Sequence, residues 1–160
     1  MGDDARLTHL DGDGRLSMVD VVEKRPTFRE AVAEARVRMS AETLELLRRQ
    51  ALPKGDVLTT AKVAGILAAK QASSLIPLTH PLPISFVEIE FEIGAGVAIR
   101  STVRCEGKTG VEIEAMTACA VAALTIYDMC KSAEKGIVIE DIRLLRKSGG
   151  KSGTWTAESP

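Results

Sequence analysis

The chain has very few aromatic and histidine residues. Only 3% of its 160 residues are aromatic, and its two histidines are His9 and His80. A nucleic-acid-binding surface is usually basic and interleaved with aromatic rings, whereas this chain balances 21 basic against 22 acidic residues. We therefore expect no nucleic-acid partner.

Cysteines are also scarce, and their spacing does not fit a metal site. Cys105, Cys119 and Cys130 are odd in number and form no CxxC pair, so no zinc-binding spacing exists. Isolated thiols of this kind are typical of small buried side chains in a reducing cytosol. We expect a cytoplasmic protein without a protein-bound metal. No signal peptide begins the sequence and no uninterrupted apolar run suits a membrane span, so we expect no membrane association.

Hydrophobic residues make up 45% of the chain, and they are almost all aliphatic. A chain of 160 residues is long enough for one domain with its own core. We expect a single domain over residues 1–160, with flexible ends at 1–14 and 148–160. A core of small side chains buries little area per residue, which favours subunit contacts.

Hydrophobic periodicity predicts an α+β chain of the order βαββαβ. Between Arg29 and Met39 apolar residues alternate with charged ones, although Thr27-Phe28-Arg29-Glu30 also fits a helix capping box. The sustained alternation favours a strand. With an extra helix in the first crossover, the pattern predicts a ferredoxin-like sandwich with an antiparallel sheet and helices on one face. The predicted elements are strands at 18–22, 29–39, 87–93, 97–105 and 137–145, helices at 41–50 and 56–74, and a long helix after the fourth of these strands that ends near Gly136.

The most informative pair of residues is Asp128 and Lys131, near the end of an apolar, Ala-rich helical segment. Residues three apart lie on one helix face, so this carboxylate and this amine are neighbours. An ordinary surface pair contributes roughly 0.2–0.5 kcal/mol. A pair among apolar neighbours can instead hold, accept or deliver a proton, and the apolar setting favours that interpretation.

Several other residues have both a structural and a functional interpretation. His80 stands between Pro77 and Pro81, which fix the backbone around it. Glu112 and Glu114 are predicted to point the same way from an extended segment, where they form a solvated edge or accept N–H groups from a guanine-type ring. Lys54 precedes a helix start, where it adds positive charge for an anion or is simply exposed.

The C-terminal Gly150-Lys151-Ser152 looks at first like a phosphate loop. That motif requires a glycine five residues earlier, where Leu145 stands, and no helix is predicted after it. The segment is therefore not a nucleotide P-loop. Two alternatives stay open, a Gly-rich basic tail that contacts phosphate and a disordered C-terminus.

Seven segments stand out in chain order: Met18-Val19-Asp20-Val21, Lys54-Gly55-Asp56-Val57, Ala64-Gly65-Ile66 with Ala68-Ala69-Lys70, Ile76-Pro77-Leu78-Thr79-His80-Pro81-Leu82, Lys108-Thr109-Gly110-Val111-Glu112-Ile113-Glu114-Ala115, Ala122 through Lys131, and Lys147 through Gly153. Together they resemble the MoaC family of molybdenum-cofactor biosynthesis, and the resemblance runs from about Leu7 to Trp155. At Thr79 many members of the family carry cysteine, so the departure suggests that a thiol there is not a required nucleophile.

The resemblance implies a phosphorus–oxygen lyase. Its substrate is 3′,8-cyclo-7,8-dihydroguanosine 5′-triphosphate, which is rearranged to cyclic pyranopterin monophosphate with release of diphosphate. The alternative is a non-catalytic nucleotide-binding regulatory module on the same fold. Because a sensor does not need the Asp128–Lys131 pair, the enzyme is favoured. No required cofactor is implied, and the only metal we consider is Mg²⁺ carried by the substrate phosphates.

The resemblance also implies site residues and an assembly. The family forms hexamers, as trimers of dimers, with the site at a subunit interface, and we expect Lys54 and Lys131 to come from different subunits. Asp128 and Lys131 match catalytic positions. The positions that match substrate-binding residues are Leu78, Thr79, His80, Glu112, Ile113 and Glu114, together with Lys54, Arg29, Lys147 and Lys151 around the phosphates.

Overall fold

A computed structural model describes residues 10–158 of the chain. One antiparallel sheet has the strand order β2-β3-β1-β4-β5. Its first four strands have the ferredoxin-like arrangement, which confirms the predicted fold class. The elements are β1 (Thr27–Arg38), α1 (Ala41–Arg48), α2 (Val57–Lys70), α3 (Ala72–Leu75), β2 (Ile84–Ile93), β3 (Val97–Gly107), α4 (Glu112–Cys130), β4 (Val138–Ser148) and β5 (Trp155–Thr156).

The segment from Thr27 to Arg38 is the central strand β1, as the alternation of apolar and charged residues predicted, and not the helix that the capping box would start. Ala31, Ala33, Ala35 and Val37 are completely buried, while the residues between them are only partly buried or exposed. In a strand this period of two places every small apolar residue on one face of the sheet. The helices cover that face, so local sequence and tertiary packing agree.

The opposite face of the sheet carries ion pairs between neighbouring strands. Glu30 on β1 lies 2.6 Å from the Arg104 guanidinium on β3 and 3.4 Å from that of Arg146 on β4. Glu34 lies 2.7 Å from Arg143 on β4. Opposite charges on adjacent strands stabilise their pairing, so this face of the sheet is polar.

The strand predicted at Met18–Val22 is wrong. These residues are irregular in the structure, and the first strand begins at Thr27. The Val22 N–H is bonded to the Asp20 carboxylate at 2.8 Å. A side chain that takes up a nearby backbone N–H stabilises a turn and competes with strand pairing.

Helix α4 forms the centre of the core. Its buried face approaches α2 closely at Gly65, where a Cβ atom would lie 2.9 Å from the Ala118 carbonyl oxygen and 3.3 Å from Ala122 Cβ. By length and composition α4 could cross a membrane, contrary to our expectation that no segment suits a span. Its burial between the sheet and α2 is that of a core helix. The fully buried residues on α4 are Ala115, Ala118, Cys119, Ala122, Ala123, Ile126 and Cys130.

The two ends of α4 differ from the prediction. The helix already begins at Glu112, so Glu112 and Glu114 do not lie on an extended segment. Two residues apart on a helix, they are rotated by about 200° from each other and face different surroundings. The helix ends at Cys130, and turns follow before Gly136.

Candidate active site

Three charged side chains meet at the C-terminal end of α4, and we call them the Asp128 cluster. Lys131 Nζ lies 2.7 Å from Asp128 Oδ1, as the spacing of three residues predicts. Lys54 Nζ donates to Asp128 Oδ2 at 2.7 Å and to the Asp128 backbone oxygen at 3.0 Å. One carboxylate is therefore held between two ammonium groups.

The Asp128 cluster is charged and open to a ligand. Hydrogen bonds from Lys131 and then Lys54 lower the pKa of Asp128 to about 2. The same bond to Asp128 raises the pKa of Lys131 above its ordinary value. Roughly half of each side chain is accessible, with exposed fractions of 53% for Asp128 and 51% for Lys131. A bound anion can thus reach the two ammonium groups and release the carboxylate for proton transfer.

A second site lies at the opposite end of α4 and is an open cavity of about 1150 Å³. We call it the basic pocket, because six basic side chains and only two acidic ones line it. Such an excess of positive charge attracts an anion with several charges. The charged lining residues are Glu23, Lys24, Arg25, Arg29, Lys108, Glu112, Lys147 and Lys151.

Arg29 fixes the inner wall of the basic pocket. Its guanidinium donates to the backbone oxygens of Gly107, Lys108 and Gly149, each at 3.4 Å. These hydrogen bonds are long, so the guanidinium keeps donor capacity for a stronger acceptor such as phosphate. Gly149 has a φ of +99°, and a Cβ there would clash with the Phe28 carbonyl oxygen.

Lys147 and Lys151 flank the C-terminal turn on the other side of the pocket. Lys147 Nζ donates to Glu112 Oε1 at 2.8 Å and so connects β4 to the first turn of α4. Lys151 lies in the turn between β4 and β5. Trp155 pairs with Lys147, so a short strand follows the Gly-rich turn. The alternative that the tail contributes to a phosphate site is the one that this geometry favours.

Glu114 is the most unusual carboxyl group in the structure. It is only 3% exposed, and its Oε2 has no hydrogen-bond partner among residues 10–158. Burial raises its pKa to about 7, with a smaller contribution in the same direction from the charge of Glu112. A buried carboxyl oxygen without a partner is costly, and a ligand can supply the missing hydrogen bond.

The loop with Leu78, Thr79 and His80 lies between α3 and β2 and does not line the basic pocket. The Thr79 N–H bonds to the Ile76 carbonyl oxygen at 3.1 Å. His80 Nε2 lies 2.8 Å from the Val19 carbonyl oxygen. That the three residues bind substrate stays a prediction, as it does for Ile113 on the first turn of α4.

The structure groups the predicted site residues into two sets. Glu112, Arg29, Lys147 and Lys151 lie at the start of α4, with buried Glu114 next to them on its first turn. Lys54, Asp128 and Lys131 lie at its other end. At about 1.5 Å per residue, Glu112 and Asp128 are roughly 24 Å apart along the helix axis. The expectation that Lys54 and Lys131 come from different subunits is wrong, since both contact Asp128 of their own chain.

Sequence reasoning missed three basic residues of the pocket, Lys24, Arg25 and Lys108. The adjacent pair Lys24-Arg25 just before β1 was an available signal, because two consecutive cations at the start of a strand attract anions. The contact between Lys54 and Asp128 had no signal in the sequence, since 74 positions separate the two residues. Among residues 10–158 there is no group of three or more metal-ligating His, Cys, Asp or Glu side chains.

Comparison with known proteins shows the family of this chain. A model of the MoaC family matches residues 18–150, which is most of the chain. This chain belongs to the MoaC family. A relative from Nitratidesulfovibrio vulgaris, named cyclic pyranopterin monophosphate synthase, is 54% identical over 161 residues, covering 99% of this chain and 100% of that protein.

Other MoaC relatives carry the same name. The cyclic pyranopterin monophosphate synthase of Bordetella avium is 59% identical over 152 residues, covering 93% of this chain and 94% of that protein. The synthase of Oleidesulfovibrio alaskensis is 54% identical over 154 residues, covering 94% and 97%. The matched stretch with the Nitratidesulfovibrio vulgaris protein covers 99% of this chain and so spans the segments that carry the basic pocket and the Asp128 cluster.

Proposed function

We infer that this MoaC-family chain is a cyclic pyranopterin monophosphate synthase, a phosphorus–oxygen lyase. It converts 3′,8-cyclo-7,8-dihydroguanosine 5′-triphosphate to cyclic pyranopterin monophosphate and releases diphosphate, a step of molybdenum-cofactor biosynthesis. The full-length similarity to proteins of that name carries this inference. A non-catalytic nucleotide-binding module is not favoured, because binding alone gives no reason for a carboxylate held between two ammonium groups.

The basic pocket binds the triphosphate. Arg29, Lys147 and Lys151 face a substrate that carries several negative charges, and charge-assisted hydrogen bonds to phosphate oxygens are among the strongest in proteins. The same cations stabilise the charge that develops on the diphosphate as it leaves. Mg²⁺ enters only with the substrate phosphates in this proposal.

Asp128 and Lys131 act together in proton transfer. Opening a purine-derived ring and closing the pterin ring needs protons to be taken up and delivered at several atoms. In the free chain Asp128 is a weak base because two ammonium groups stabilise its charge. Substrate that draws Lys54 and Lys131 toward its own anionic groups raises the basicity of Asp128, and Lys131 then serves as the matching acid.

Glu114 recognises the guanine-derived ring, while Glu112, rotated by about 200° from it, binds substrate from the basic pocket beside Lys147. A ring with N–H groups and a carbonyl needs both hydrogen-bond acceptors and donors. With a pKa of about 7, Glu114 is partly protonated at neutral pH, so its carboxyl group can serve as either. The unpartnered Oε2 of Glu114 is the observation that supports this role.

Each active site is shared between two subunits. The basic pocket and the Asp128 cluster of one chain are roughly 24 Å apart along α4, which is too far for one ligand that must touch both. The basic pocket of one subunit is therefore joined by the Asp128 cluster of a neighbour. A hexamer built as a trimer of dimers is the assembly that the family resemblance suggests. We place it in the cytoplasm, because Cys105, Cys119 and Cys130 are free thiols.

The direct test is turnover by the purified protein. Incubation with the cyclised triphosphate should yield the pterin product and one diphosphate per substrate. The pterin is measured by the fluorescence of its oxidised form, and the diphosphate by a diphosphate assay. Gel filtration with light scattering should give an oligomer. Tight substrate binding without either product would instead establish the non-catalytic module.

A further inference from the structure

Residues 19–25 form an irregular segment that belongs to no helix or strand, and we call it the N-terminal loop. Within residues 10–158 it pairs with no strand, and the hydrogen bonds inside it are short-range. The Val22 N–H bonds to the Asp20 carboxylate, and the Lys24 N–H bonds to the Val21 carbonyl oxygen at 3.0 Å. These contacts shape the loop, but they do not fix its position against the rest of the fold.

Two side chains from elsewhere attach this loop to the domain. His80, in the loop before β2, bonds through Nε2 to the Val19 carbonyl oxygen at 2.8 Å. Lys108, in the turn before α4, donates from Nζ to the Val22 carbonyl oxygen at 2.9 Å. The attached residues, Val19 and Val22, are three positions apart, so the two bonds set the position of the following Lys24 and Arg25 relative to the domain.

The far end of the loop is one wall of the basic pocket, since Glu23, Lys24 and Arg25 line it. Three of the six cations there are already engaged, Arg29 and Lys108 with backbone oxygens and Lys147 with Glu112. The side chains of the other three, Lys24, Arg25 and Lys151, make no hydrogen bond or ion pair within residues 10–158. A polyanion can bind these three side chains without breaking an existing hydrogen bond or ion pair.

We propose that Lys24 and Arg25 bind the phosphates of the substrate, and that His80 and Lys108 are positioning residues that hold the N-terminal loop against the pocket. This rests on the proposed function for the identity of the ligand. His80 then acts on phosphate affinity without touching phosphate. The rigid loop around it serves that purpose, because Pro77 and Pro81 on either side restrict the backbone that carries the ring.

Binding of inorganic tripolyphosphate, measured by calorimetry at low salt, tests the pocket without chemistry. Lys24→Ala/Arg25→Ala should weaken binding about tenfold, which corresponds to about 1.4 kcal/mol for two exposed charge contacts. Lys62→Ala, which removes one exposed cation of α2 outside the pocket, is the control for a loss of surface charge and should change affinity less than twofold. Unchanged affinity in the double variant overturns the proposal.

The positioning role is tested with His80, which does not itself line the pocket. His80→Ala should weaken tripolyphosphate binding about fivefold, and much of this loss should vanish in the Lys24→Ala/Arg25→Ala background. His80→Gln should restore most of the affinity, because its side-chain amide can still donate to the Val19 oxygen. Amide exchange at Val22 and Glu23 should be faster in His80→Ala than in His80→Gln, and equal rates overturn the positioning role.

Kinetics separates this proposal from a proton-transfer role of His80. A positioning residue that acts through phosphate binding should change KM more than kcat. A large fall in kcat in both His80→Ala and His80→Gln, with tripolyphosphate affinity intact, overturns the proposal in favour of proton transfer. Failure of the wild-type protein to form pterin product contradicts the proposed function instead, and the tripolyphosphate measurements then still decide the role of the loop.

Discussion

Lys54 binds both a carboxylate oxygen and the backbone oxygen of Asp128, at 2.7 and 3.0 Å. The second bond fixes the ammonium group against the end of α4, where the last carbonyl oxygens lack intrahelical partners and favour a cation. Lys54 comes from the turn before α2, so the contact also joins the two helices. The charge of Asp128 is therefore balanced from two directions by residues that its own chain supplies.

Asp128→Asn and Lys131→Ala should each reduce turnover at least a hundredfold, the lower end of the usual contribution of general acid–base catalysis. The amide keeps the shape of Asp128 but cannot take a proton, and the alanine removes the amine. Both variants should still elute as the wild-type oligomer. Measurement of the pterin product checks the rate, and wild-type activity in either variant removes that residue from the mechanism.

The same carboxylate has a defined effect on the pH dependence of stability. Its pKa in the folded protein is about 2, below the ordinary value, so its stabilising contribution is complete above about pH 4. The contribution is lost as the pH falls toward 2. The difference in unfolding midpoint between wild type and Asp128→Asn should thus be constant from pH 5 to 8 and shrink below pH 4.

Mixing inactive variants should reveal which residues share a chain. Lys131→Ala mixed with Lys147→Ala under subunit exchange should regain activity, because some sites then combine an intact Asp128 cluster with an intact basic pocket. Lys131→Ala mixed with Lys54→Ala should stay inactive, since both residues contact Asp128 of one chain. Exchange is verified with differently tagged subunits. Recovery in the second mixture, or none in the first, contradicts the shared site.

Glu114 should make the protein less stable as the pH rises through neutrality. Its pKa of about 7 lies above the ordinary value, so its favourable neutral form is complete below about pH 4.5 and is lost as the pH passes 7. Relative to Glu114→Gln, the free energy of unfolding of the wild type should fall on the order of 2 kcal/mol between pH 5 and pH 8. Urea unfolding at several pH values measures this, and parallel pH profiles contradict it.

Thr79 should tolerate replacement by the residue that many family members carry. Thr79→Cys should keep turnover within about tenfold, or about 1.4 kcal/mol of activation free energy. The reason is that neither a thiol nor a hydroxyl there is required as a nucleophile. Thr79→Val, which keeps the shape without a polar atom, is the companion variant. A collapse of turnover in Thr79→Val alone would give the hydroxyl a direct role.

Gly65→Ala should destabilise the fold by about 1–3 kcal/mol, the usual range for overpacking a core. The added methyl group would clash with Ile89 Cδ1 and approach the Ala118 carbonyl oxygen at 2.9 Å. Gly94→Ala is the matched control, because a Cβ there meets nothing within 4 Å. Thermal unfolding of both variants checks the difference, and equal midpoints would mean that α2 can shift to accommodate the methyl group.

The sequence predicted the fold better than the site because the fold depends on local periodicity. The alternation from Ala31 to Val37 is visible in consecutive residues, and burial of that face follows directly. The short stretch from Val111 to Glu114 also alternates, yet the Ala-rich segment after it extends the helix back to Glu112. Helix propensity over a long segment outweighs four alternating residues at its end.

The site could be predicted only in part, because its contacts join distant segments. Asp128 and Lys131 share one helix turn, so their contact follows from spacing alone. The basic pocket combines residues before β1, within β1, before α4 and after β4, and no periodicity in the sequence connects these segments. The burial of Glu114 could not be predicted from the sequence either, because it depends on how α4 packs against the sheet.

The length of α4 sets both the distance and the relative orientation of the basic pocket and the Asp128 cluster within one chain. Inserting one residue in the middle of the helix would lengthen it by only about 1.5 Å, but it would swing Asp128 about 100° around the axis relative to Glu112. The close contact of Gly65 on α2 with Ala118 and Ala122 on α4 leaves little room to absorb such a rotation. The number of residues from Glu112 to Asp128 therefore sets how the basic pocket and the Asp128 cluster of one chain are oriented relative to each other.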